Sequence, residues 1–331
     1  MRDHTLLGPW MRRFLLEHLV TERNLSVNTQ HSYRDTFRLL LPFAASKAGV
    51  SVDQLRVVDI TPAVVRQFLL HLEQDRRCSI GTRNQRLAAI HALARFVGEH
   101  SPEHVAWCGQ IRLIPHKRGT RAMISYLTEA EMRALLGAPQ RSTEQGYRDY
   151  VLLLFLYNSG ARASEAASLR IQDLDTRSRL VRITGKGNKQ RVCPLWPETV
   201  GHLRRLIAER SRDEPLFHNR HKQPLTRFGI HTLVERHAAQ AATHEPSLLS
   251  KRVSPHTIRH STATHLLRAG VDINTIRGWL GHASINTTNV YAEVDLDTKA
   301  KALSVCSPGT GGKSRLPWKS AAGVMEFLRT L

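Results

Sequence analysis

The stretch Ser254-Pro255-His256-Thr257-Ile258-Arg259-His260 reads as the opening of a helix. Ser254 carries a hydroxyl suited to the N-cap, and Pro255 suits the first helical position, where no N–H is needed. His256 and Arg259 then fall three residues apart on one face of the first turn. Backbone N–H groups at such an end favour a bound anion, so a His and an Arg beside it make a grip for phosphate. Alone, H-x-x-R more commonly belongs to an ordinary capped helix.

Downstream lies Gly278-Trp279-Leu280-Gly281-His282. Gly281 reads as a helix C-cap, and His282 follows it immediately. Ser284 caps a further helix and places Tyr291 about two turns inside it. Upstream lies Asn158-Ser159-Gly160-Ala161-Arg162-Ala163-Ser164-Glu165, where a glycine break follows the apolar helix Tyr147 to Ser159. Arg162 starts the next helix, and Glu165 is placed to hold a nearby donor. Leu180-Val181-Arg182-Ile183 and Arg191-Val192-Cys193-Pro194-Leu195 are β-like runs around Gly185-Lys186-Gly187-Asn188, a hairpin signature with Lys186 at its tip. Taken one at a time, these residues have blander meanings: Arg162 a solvent-facing helix start, Lys186 a solvated loop cation, Tyr291 filler.

The N-terminal third carries helical periodicity. Leu6 to Val20 places Trp10, Phe14, Leu15 and Leu19 at helical spacing, and a second helix starts at Ser26-Val27-Asn28-Thr29. Thr61-Pro62 starts a third, and Thr82 opens a fourth. Pro115 to Arg121 holds Pro, Gly and three strong bases without apolar periodicity and reads as a linker, either laid across a polyanion or merely solvated. Thr128 with Glu131 is a capping pattern. Ser307 to Ser314 reads as flexible, and Ala321 to Leu331 as a short helix with one apolar side. The expected organisation is therefore a helical domain over 1–114, a basic linker over 115–121, a second domain over 122–306, and a linker plus helix over 307–331. The fold class is mainly α with a small antiparallel β-sheet.

The bulk numbers restrict the function. With 41% hydrophobic residues the chain can build cores, and its longest apolar run, Val151 to Tyr157, is too short to span a bilayer. The N-terminus lacks the apolar core and cleavage site of a signal peptide. Lys and Arg number 48 against 28 Asp and Glu, a formal charge of +20. The bases spread along the whole chain rather than beside an apolar helical face, which favours nucleic acid over a membrane surface. Cys78, Cys108, Cys193 and Cys306 form no C-x-x-C pair, so free thiols in a reducing compartment are expected.

The ordered set Arg162, Lys186, His256-x-x-Arg259, His282 and Tyr291 resembles the active site of the tyrosine recombinase family, which includes phage integrases, the Xer chromosome-dimer resolvases and Cre. The flanks Gly160 to Glu165, Gly185 to Lys189, His256 to His260 and Leu280-Gly281-His282 resemble the family's motifs too. The match runs from about 128 to 300, and the N-terminal helices resemble the family's SAM-like core-binding domain. Ala161 stands where a bulkier apolar residue is common, a difference of packing rather than chemistry.

The resemblance implies a two-domain clamp, with a helical core-binding domain and a mixed α/β catalytic domain closing on duplex DNA. It implies Tyr291 as nucleophile, Arg162 and Arg259 on the non-bridging phosphate oxygens, Lys186 protonating the 5′-hydroxyl leaving group, His256 as general acid/base and His282 hydrogen-bonded to the phosphate. The residue types suit this: a phenol with pKa near 10 is a poor nucleophile until its charge is stabilised, and guanidiniums make paired bonds to phosphate. Lys117, Arg118, Arg121, Lys189 and Arg191 are the expected DNA contacts. No cofactor and no metal is expected. The implied partners are double-stranded DNA at a specific recombination site, three further copies in a tetramer on DNA (a monomer or weak oligomer when free), and accessory recombinases, with no membrane. The implied location is the bacterial cytoplasm, with the nucleoid, and the tail beyond Tyr291 favours a mobile element. Three rivals stand beside this reading. A zinc hydrolase could use His256, His260 and His265, although Thr257 occupies the place of the general-base Glu of H-E-x-x-H. The others are a DNA-binding protein without catalysis and a type IB topoisomerase.

Overall fold

The computed structural model describes residues 5–119 and 125–281, with only the backbone at Lys186. The chain divides between Ala122 and Met123 into two compact units. Among the described residues no helix is long and apolar enough to cross a membrane.

The first unit is all helical. Helix α1 (Leu7–Arg13) continues without a break as a π-helical segment, Phe14–Glu22. Helices α2 (Val27–Ala48), α3 (Pro62–Gln74), α4 (Ile80–His100) and α5 (Val105–Arg112) follow. Their starts obey local rules: the Ser26, Thr61 and Ser79 hydroxyls accept from Thr29, Val64 and Thr82 N–H. The fourth helix thus begins two residues before Thr82, because Ser79 supplies the cap and Thr82 is the residue it caps. Phe14, Phe37, Phe68 and Phe96 fill the core. Trp107 on α5 donates its indole N–H to the Ile60 carbonyl, 2.9 Å away.

The expected linker is partly committed to this unit. Arg83 donates to the Pro115 carbonyl, Asn84 exchanges two hydrogen bonds with the Lys117 backbone, and Lys117 Nζ lies 2.6 Å from Glu73. Residues 115–117 are therefore docked along the start of α4. Arg121 lies outside the described residues, as do the segments 307–314 and 321–331.

The second unit is built around α7 (Glu144–Ser159), which is buried continuously from Arg148 to Leu156. Its apolar side chains leave no solvent face, so α6 (Glu129–Gly137), α9 (Pro197–Ile207), α10 (Arg227–Ala241) and α11 (Pro255–Arg268) enclose the same core. Helix α8 (Ala163–Ser168) leads to a sheet of β1 (Leu174–Asp175), β2 (Leu180–Thr184) and β3 (Gln190–Pro194), all antiparallel in that order. Val181 and Ile183 point into the core and Arg182 and Thr184 out of it, the period-2 alternation of a half-buried strand. Helix α12 (Ile273–Leu280) ends the described chain and is capped by Asp272 at one end and Gly281 at the other. The Thr128–Glu131 capping box at α6 is present as expected.

Candidate active site

Four separate stretches of the second unit meet at the C-terminal end of α7. Gly160 closes that helix at φ +58°, and the chain reverses so that Arg162 becomes the N-cap of α8. Glu165, three residues on, accepts from Arg162 N–H at 2.9 Å and from the Arg162 guanidinium at 2.7 Å. Its other contact comes from the neighbouring strand: Arg191 Nη2 on β3 lies 2.7 Å from Glu165 Oε2. Burial alone would push the Glu165 carboxyl up, but the bonds from Arg191 and Arg162 outweigh it and hold the group below the usual carboxylate range. The sequence marks Glu165 as the holder of a nearby donor without naming it; the donors are Arg162 and Arg191.

Arg191, an expected DNA contact, is engaged inside the second unit. Its side chain is 10% exposed, and its Nε donates to the Trp279 carbonyl at the end of α12. It also packs against Gly281, where an added Cβ would sit 3.0 Å from Arg191 Cδ. Arg191 therefore latches β3 and α12 to Glu165. Two of its donors are thus engaged inside the second unit.

Arg259 makes a second latch. Its guanidinium is 3% exposed and donates from Nη1 to the Gly160 carbonyl at 2.5 Å and from Nη2 to the Leu280 carbonyl at 2.7 Å. The H-x-x-R helix is thereby tied to the turn before Arg162 and to the residue before Gly281-His282. Ser254 caps this helix as expected, accepting from Thr257 N–H at 3.2 Å. The hairpin joins the cluster through Gly185, whose absent side chain lets Glu165 Oε1 approach; a Cβ there would lie 3.1 Å from it. Gly185 N–H bonds the Lys189 carbonyl at 2.8 Å, closing the loop that carries Lys186. Lys189 is exposed at the same loop, as is Arg118 in the first unit. His282 and Tyr291 lie outside the described residues.

Beside these latches is an open cavity of about 350 Å³, with Arg162, Pro255 and His256 on one side and Arg227, Phe228 and His231 of α10 on the other. The His256 ring is held below its ordinary pKa by burial and then by the charges of Arg259 and Arg162. His260 is pushed down to about 4 by burial and by His256 and Arg259. A His poised as the neutral imidazole can accept a proton. The zinc rival finds no support in the donor geometry. His265 Nδ1 is 2.8 Å from the Tyr157 hydroxyl, and among the described residues no three His, Cys, Asp or Glu side chains converge. Of the cysteines, Cys193 is buried and its thiol pushed up to about 12, mainly by that burial, which makes it inert.

Residues 125–297 match the model of the phage integrase family, and residues 13–99 match that family's N-terminal SAM-like domain. The chain belongs to the phage integrase family. A putative integrase/recombinase of Sinorhizobium fredii is 38% identical across the full length of both chains. A tyrosine recombinase XerC of Pelobacter propionicus is 32% identical over 93% of this chain and 96% of its own. In fold, this integrase-family chain is similar to the Tn1549 transposon integrase in complex with a circular intermediate DNA, with a TM-score of 0.66 at 17% identity over 88% of this chain and 98% of that one. It is also similar to the XerH site-specific recombinase bound to its difH substrate, with a TM-score of 0.64 at 22% identity over 86% and 81% of the two chains. The mainly helical architecture with one small antiparallel sheet is thus that of a tyrosine recombinase, an enzyme class that cuts and rejoins DNA strands.

Proposed function

We propose that this recombinase acts on duplex DNA at a specific site, and that Arg162, Lys186, His256, Arg259, His282 and Tyr291 form its active site. The observation that supports this most strongly is the convergence of the 160–165, 185–191, 256–259 and 279–281 segments through Glu165, Arg191 and Arg259. The latches bring Arg162 and His256 to one cavity. A phosphodiester seated there meets Arg162 and the His256 ring, with Arg259 behind them.

The chemistry follows. The Tyr291 phenol oxygen attacks phosphorus, the P–O5′ bond breaks, and Lys186 protonates the departing 5′-oxygen, which leaves as the 5′-hydroxyl. The phenolic proton passes to a neighbouring base, for which the depressed pKa suits His256. The two guanidiniums and His282 stabilise the charge on the non-bridging oxygens, and losing one such donor costs about a hundredfold in rate. The 3′-phosphotyrosyl ester keeps the energy of the broken bond, so attack by a 5′-hydroxyl of another strand reseals DNA without a nucleotide cofactor. A XerC relative and transposon-integrase fold neighbours support site-specific recombination for integration or transposition of a mobile element. Under this proposal the first unit and residues 117–118 add duplex contacts, Lys189 contacts DNA beside the hairpin, and four copies assemble on two duplexes, alone or with accessory recombinases. Such an enzyme works at the nucleoid.

The test is a covalent trap. A duplex selected by this protein from a random pool, nicked near the cleavage position, is incubated with wild type and Tyr291→Phe without metal or ATP. Wild type should give a denaturant-resistant protein–DNA adduct and the Phe variant none. Binding without any adduct would instead make this a DNA-binding protein with an idle site.

A further inference from the structure

The cavity beside Arg162 and His256 has a second wall that none of the sequence motifs contains. Helix α10 contributes Arg227, Phe228 and His231 to it. The helix starts at the Thr226 cap, and Arg227 and His231 are four residues apart on one face. Phe228 is 68% exposed, with the Arg227 guanidinium 4.7 Å from its ring centre. His231 is half-exposed, and its Nε2 lies 3.1 Å from Glu235 Oε1, one turn further along. A carboxylate beside one ring nitrogen fixes the ring's orientation. It leaves Nδ1 as the second polar atom of a residue that lines the cavity.

The charge around this space is one-sided. Arg162, Arg227 and the two histidines line it, and Glu235 acts from behind His231. The volume is about ten times that of a water in the liquid, more room than one phosphate group needs. We infer that His231 is a substrate-contacting residue that binds the phosphate adjoining the scissile one on the same strand. The inference rests on the proposed active site and extends it. Arg162 and His256 take the reacting phosphate on one wall, and His231, braced by Glu235, takes its neighbour on the other. With Nε2 turned to Glu235, Nδ1 is the ring atom that meets the phosphate. No covalent step is added; the role is to hold the strand in register with the nucleophile.

The experiment uses the full-length protein and the same nicked duplex, with neutral methylphosphonates placed singly at the phosphates flanking the cleavage position. Single-turnover cleavage is measured at saturating protein for wild type, His231→Ala, His231→Gln and His231→Lys. His231→Ala should cleave on the order of tenfold more slowly, with His231→Lys recovering part of the loss through its charge and the uncharged Gln variant recovering less. One methylphosphonate should slow wild type by a similar factor yet have little further effect on the Ala variant, the non-additivity of a shared contact. Unchanged thermal midpoints keep folding out of the comparison. Wild-type rates in all three variants, or effects that multiply at every flanking phosphate, overturn the inference while leaving the wild-type adduct intact. Loss of the wild-type adduct itself would remove the underlying reading and this one with it.

Discussion

At the scale of single residues, the site is organised by hydrogen bonds made inside the protein. Glu165 is a carboxylate with 3% exposure, compensated by two guanidiniums and one backbone N–H. Arg191 and Arg259 hold three backbone carbonyls between them. Burial, and after it the positive charge of neighbouring groups, shifts the histidines of the same helix. His260 titrates near 4 in the folded protein and near 6.5 when free. The unfolded chain thus binds a proton below about pH 6.5 that the folded chain refuses until about pH 4. Stability from this group is fully present above pH 6.5, declines as pH falls through that window, and is gone below it, a loss on the order of 2–3 kcal/mol. His256 is shifted the same way and adds to the trend. Urea midpoints measured from pH 7.5 to 4 should fall for wild type and fall less for His260→Gln. Parallel curves would show that the ring carries its proton in the folded state.

At the scale of elements, the turn after α7 decides whether the segments meet. Gly160 adopts φ +58°, and an added Cβ would lie 2.4 Å from Leu280 Cδ2 on α12. Gly160→Ala therefore combines left-handed backbone strain of about 1–2 kcal/mol with overpacking of about 1–3 kcal/mol. It should lower both stability and cleavage, because Arg259 binds the displaced carbonyl. Adding Leu280→Ala should return the overpacking part and not the strain; a double variant no better than the sum of the singles would refute the contact. Much at this scale was legible beforehand. Ser254, Thr61, Thr128 and Gly281 announce helix ends through chemistry that acts within four residues. Arg162, Glu165 and Arg259 stood out through their motifs. The rest depended on distance along the chain. Nothing local tells that Arg191 turns inward to Glu165, 26 residues away, instead of outward to a ligand. Nor does periodicity mark His231 and Phe228, whose place in the cavity follows only from how α10 packs on α8. The continuation of α1 into a π-helical segment that buries Phe14 and Leu19 is not foreseen either, because the apolar spacing there reads as an ordinary helix.

At the scale of the whole molecule, positive charge is shared by both units. Residues 1–122 hold 18 Lys and Arg against 10 Asp and Glu, and the remainder holds 30 against 18. Formal charge overstates what is offered to DNA. Arg148, Arg191 and Lys251 are bound to buried carboxylates. These cations displace no counterions when a duplex arrives. If the excess that remains is arranged for phosphate, DNA affinity should fall linearly on a log–log plot against salt. A slope of about −5 to −10 is expected, since each neutralised phosphate contributes about −0.9. Fluorescence anisotropy between 50 and 300 mM salt on the selected duplex measures it, the range bracketing physiological ionic strength. Charge reversal at Arg118, exposed beside the docked linker, should make the slope shallower by about one and weaken all duplexes alike. Arg191→Gln should instead leave the slope unchanged while slowing cleavage, because it releases a latch and not a phosphate. A slope shallower than about −2 would mean that the basic surplus serves internal pairing, and that sequence-specific contacts, rather than the general field of a basic protein, carry the binding.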